Sequence, residues 1–86
     1  MGYSCITRRA GESFDLITAR HGSMRLKMGK AGQLMGADGK AVYATTLGPH
    51  TMEFEVGECI SGQYRIACLL PPEVTLLRDN AKRRTA

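Results

Sequence analysis

Side chains able to do covalent or metal chemistry are few in this 86-residue chain, and they are poorly spaced for it. His21 and His50 both stand in a glycine-rich stretch, and neither has a cysteine or a second histidine at the short intervals that zinc sites use. They read as surface histidines, and no metal is expected. Cys5, Cys59 and Cys68 cannot all pair within one chain, and no charged, apolar and small-residue leader precedes them. Cys5 and Cys68 sit in apolar, strand-like runs, so both are expected to be buried structural thiols of a cytoplasmic protein. Gly39-Lys40 is followed by Ala41 and lacks the earlier glycine of a phosphate-binding loop. No serine or cysteine occupies a recognisable nucleophile motif. No catalytic residue and no cofactor is therefore expected, and the chain does not read as an enzyme.

The chemistry that remains is electrostatic. Lysines and arginines number 12 against 8 acids, a formal net charge of +4. Arg8, Arg9, Arg20, Arg25, Lys27, Lys30 and Lys40 crowd the first half, Lys82, Arg83 and Arg84 end the chain, and the middle is acidic. Such a distribution fits a polyanionic partner, and equally a solvated surface that keeps a small protein soluble. The adjacent pair Arg8-Arg9 is the sharper feature. On a strand the two point to opposite faces and so do not share one role. Arginine offers a planar fork to a phosphate or a guanine edge, and a free strand edge offers backbone donors and acceptors to unpaired bases. Charged residues also guard edge strands against aggregation, and Arg8-Arg9 taken alone fits that reading as well.

The elements that would position these groups read as strands. Tyr3–Arg9 and Ser13–Thr18 are short β-compatible runs joined through Ala10-Gly11-Glu12, where Gly11 and Glu12 suit a turn and its acidic partner. Met52, Phe54 and Val56 alternate with Glu53 and Glu55, which gives a strand one buried and one wet face. Ser61-Gly62 separates it from Gln63–Leu70, where Tyr64, Ile66, Cys68 and Leu70 alternate in the same way; the two runs predict a hairpin. Pro71-Pro72 stops the strand, and Val74–Arg78 is the last one. Asp79–Ala86 has room for about two helical turns or stays disordered. Residues 21–50 are punctuated by glycines and leave two candidate strands, Met24–Met28 and Val42–Thr46. This segment reads as an inserted ribbon or mobile loop. No run is long and apolar enough to span a bilayer as a helix, so no membrane is expected. A core this small supplies about 3–5 kcal/mol unaided, which makes a partner chain the expected staple.

Two blocks at opposite ends carry a specific likeness. Ile6-Thr7-Arg8-Arg9-Ala10-Gly11-Glu12 opens the chain, and Gln63-Tyr64-Arg65-Ile66-Ala67 is followed by Pro71, Glu73-Val74 and Arg78. Together they resemble the carbon storage regulator (CsrA/RsmA) family, across roughly residues 3–16 and 52–80. Residues 21–50 stand where that family has a brief turn. The resemblance implies a small, all-β, strand-exchanged homodimer of about five strands per chain, with the inserted ribbon added and little or no C-terminal helix. It implies RNA-binding sites made by Ile6, Thr7, Arg8 and Arg9 of one chain beside Val74, Leu76 and Arg78 of the other. The expected ligand is the GGA of a hairpin loop in a messenger 5′ leader, with translation and message stability as the outcome. Small regulatory RNA and a protein antagonist are further implied partners; DNA is not. Leu77, Pro72 and Asp79-Asn80 depart from the family pattern. A paralogue acting by sequestration or heterodimerisation, without RNA, is the alternative.

Overall fold

The computed structural model describes residues 2–78, and those residues contain strands and no helix. In chain order they are β1 (Gly2–Arg8), β2 (Ser13–Ile17), β3 (Ser23–Met28), β4 (Leu34–Met35), β5 (Ala44–Leu47), β6 (His50–Ile60), β7 (Gln63–Leu70) and β8 (Thr75–Arg78). The expectation for residues 79–86 lies outside the described residues. All pairings are antiparallel, in two four-stranded sheets ordered β1-β7-β6-β5 and β4-β3-β2-β8.

The period of two decides what each sheet buries. Phe14 and Leu16 of β2, Leu26 and Met28 of β3, Met52 and Phe54 of β6, and Ile66, Cys68 and Leu70 of β7 turn inward and form one apolar cluster shared by both sheets. Glu53 and Glu55 face out, as the alternation predicts. β6 and β7 form the expected hairpin, with Ser61 at φ 55° and Gly62 at φ 79°, the positive pair that a tight two-residue turn requires. A register shift between Val56 and Cys59 marks a bulge in β6.

Two expectations are corrected. Cys5 is exposed, not buried, because Ile6 and Arg8 take the inward positions of β1 and leave Cys5 on the outer face, opposite Ala67. Cys68 is buried as expected. The described residues also form eight strands, where five and a separate ribbon were expected. Residues 21–50 are built into both sheets: β3 and β4 widen the second, and β5 closes the edge of the first. The segment contributes Leu26, Met28 and Leu34, all essentially inaccessible, so it is part of the core and no mere loop.

Candidate nucleic-acid interface

β1 is the edge of one sheet and β8 the edge of the other, and the two flank the same side of the molecule. Between them lies an open cavity of about 320 Å³, bordered by Tyr3 and Ser4 of β1 and by Pro71, Pro72, Val74 and Leu76. Both strands run toward the Arg9–Glu12 turn. β1 enters it at Arg8, and β8 ends with Arg78 opposite Phe14, one residue from Ser13. The strands that carry the two motifs thus border one cavity within one chain, lined on β1 by Tyr3 and Ser4 and not by Ile6–Arg9. As edge strands, each presents one row of backbone donors and acceptors away from its ladder.

The individual side chains divide sharply. Arg8 is 8% exposed. Its Nε donates to the Thr7 carbonyl at 2.8 Å and its Nη1 to the Ser13 carbonyl at 3.2 Å, with Glu12 Oε1 3.9 Å from Nε. These bonds tie β1 to the start of β2 across the sheet-to-sheet turn. Arg9 is exposed, and only its backbone N–H is engaged with the Glu12 carboxylate, at 2.7 Å. Opposite faces for the two arginines follow from the strand period, and their roles separate accordingly. Thr7 is exposed on the outer face opposite Arg65. Ile6 and Val74 belong to the core, and Leu76 is half-buried against it. The apolar wall facing the cavity is therefore made by Leu76 with Tyr3 and the two prolines more than by Ile6.

Several residues brought to these surfaces were not assigned to a site from the sequence. Tyr3 is 73% exposed at the cavity mouth. Arg65 stands beside Thr7, a neighbourhood that only the β1–β7 register reveals. His21 and His50, far apart in sequence, meet edge to face with ring centroids 5.5 Å apart, and His50 Nδ1 lies 3.9 Å from Glu73 Oε1. These groups border a second cavity of about 220 Å³ with Thr18 and Arg20. Burial, with the neighbouring Cys5, pushes the Cys68 thiol up to about 12, so it stays protonated and unreactive at neutral pH.

No protein-family model, curated protein or solved structure matches this chain.

Proposed function

We propose that the protein is a cytoplasmic RNA-binding post-transcriptional regulator that reads GGA in hairpin loops of messenger 5′ leaders and thereby alters translation and message stability. The observation that carries this reading is the meeting of the two motif-bearing strands, β1 and β8, as unpaired edges around one open cavity. Unstacked loop bases find backbone edges to bond and an apolar wall of Leu76, Tyr3 and proline rings to pack on. Arg9 and Arg78 supply the charged forks, Thr7 a hydroxyl, and Arg8 holds the turn that fixes their spacing. Ile6 and Val74 support the wall from beneath.

The working form proposed is a homodimer. The β1–β7 and β2–β8 ladders can form between two chains as well as within one, because β1 and β8 cross between the sheets through the turns at Arg9–Glu12 and Pro71–Val74. In the exchanged form each site takes β1 from one chain and β8 from its partner. Arg78→Ala is expected to cost about 1–3 kcal/mol of binding and to weaken discrimination between GGA and a scrambled loop, read by electrophoretic shift. Lost affinity with discrimination intact would reassign Arg78 to a phosphate. Mixing Arg9→Ala and Arg78→Ala chains distinguishes the arrangements: one recovered site per heterodimer supports exchange, and two equally weakened sites mean that each is built within a chain.

One observation favours a second reading. Arg8 is occupied internally and Ile6 and Val74 are buried, so part of the motif serves packing. A paralogue that acts by heterodimerisation or by sequestering a protein antagonist would keep such a motif for its fold alone. Failure of any GGA-hairpin RNA to shift would favour it.

A further inference from the structure

The basic residues of the inserted segment do not form one patch. Arg25 is held by Asp15 through Nε–Oδ1 at 2.7 Å and Nη2–Oδ2 at 3.2 Å, a bidentate pair that neutralises both. Arg20 belongs with His21, His50 and Glu73, around the second cavity. Lys40 follows the separate Gly36–Lys40 turn, where its N–H donates to Asp38 Oδ1.

Lys27 and Lys30 are placed differently. Met28 N–H donates to the Glu12 carbonyl at 2.8 Å, and Gly11 N–H donates to the Met28 carbonyl at 2.7 Å, which docks the end of β3 directly on the Arg9–Glu12 turn. Lys27 pairs with Ser13, the same residue whose carbonyl receives Arg8. The Lys30 carbonyl accepts from the Tyr64 hydroxyl at 3.5 Å, and Tyr64 stands opposite Arg8 in the first sheet. Both lysines are exposed, and neither is ion-paired among the described residues. The nearby acid Glu12 is already engaged by the Arg9 N–H and by Arg8. β3 lies two strands from β8, about 10 Å at the usual strand spacing, and Lys27, level with Ser13, is a further three residues or about 10 Å along the sheet from Leu16, the partner of Leu76 at the cavity; a few nucleotides span that separation.

We propose that Lys27 and Lys30, with Arg9, form a phosphate-binding end that holds the RNA backbone flanking the loop. The inserted segment would thereby extend the binding surface without reading sequence. For its partner this rests on the RNA-binding reading above. Lysine suits the task as a mobile point charge that follows a backbone without demanding one geometry.

The test measures log affinity against log salt for the full chain with two RNAs, a GGA hairpin and the same hairpin with a scrambled loop. The Lys27→Gln/Lys30→Gln variant is expected to flatten the slope by about 1.4, at about 0.7 per lost contact, with both RNAs and with the GGA preference kept. Arg20→Gln/Lys40→Gln removes the same charge elsewhere and is expected to leave the slope near its starting value. An unchanged slope in the first variant, or equal flattening in both, overturns the proposal. If the wild type binds both RNAs alike and the Lys27/Lys30 loss persists, the GGA reading falls and the phosphate end stands. If it binds neither, both fall.

Discussion

β1 and β8, at the opening motif and the end of the closing one, share one core with β3, the longest strand of residues 21–50, yet they stand in opposite relation to it. β1 and β8 are sheet edges with one neighbour each, and they leave a backbone row and the cavity between them open. β3 has neighbours on both sides, and it drives Leu26 and Met28 to complete burial. The segment that looks like a loop in sequence holds the second sheet together, and the segments that look conspicuous lie where a ligand can reach them. Composition thus says little about which part of a small β protein is structural. What decides is how many ladders a strand joins and which parity of its residues turns inward.

The comparison breaks most easily at Leu26. If residues 21–50 were peripheral, Leu26→Ala would cost almost nothing. With the side chain fully buried between the sheets, it is expected to cost about 2–5 kcal/mol, measured by urea denaturation at fixed protein concentration. For a domain this size such a loss is a large share of total stability.

Arg8 sharpens the contrast from the other side, because it is a motif residue with a structural position. Arg8→Ala removes two charge-assisted bonds and leaves the Ser13 carbonyl without that donor, so a stability loss of about 2 kcal/mol is expected. Arg9→Ala, at an exposed position, is expected to stay within about 0.5 kcal/mol of wild type in the same assay. Equal losses for the two would show that the neighbouring arginines are not divided by face.

Much of this architecture was legible in the residues, for identifiable reasons. Tyr64, Ile66, Cys68 and Leu70 recur at every second position because β7 has one face on the core, and Ser61-Gly62 supplies the positive φ angles that close the hairpin. Cys5 was misread because an apolar run does not disclose its own parity; Ile6 claims the inward position and Cys5 goes outward. β4 spans only Leu34–Met35, too short to show any period, and its pairing with β3 is a tertiary fact. At the candidate site, the motifs pointed to β1 and β8 and not to the atoms exposed on them. Ile6 and Val74 proved to be core, whereas Tyr3 lines the cavity and Lys27 stands beside Ser13 through pairings that no local pattern encodes.

Another cost is expected where the inserted segment rejoins β6, at Gly48. This residue has φ 64°, and a Cβ there would overlap His21 Cγ and lie 2.8 Å from His21 Cβ. Two costs are therefore superposed in Gly48→Ala. One is the left-handed backbone, about 1 kcal/mol for a residue with a Cβ. The other is the overlap with His21, whose Cβ is fixed to its own backbone and does not move when the ring turns, so the turn that carries His21 must shift and its edge contact with His50 is lost. A double-mutant cycle separates them. In a His21→Gly background both the ring and the Cβ are gone, so Gly48→Ala should cost only the backbone part, and the two substitutions together should cost less than their sum. Strict additivity would mean that His21 does not rest on Gly48 in solution, and that the two ends of the inserted segment are held by the β5–β6 ladder alone.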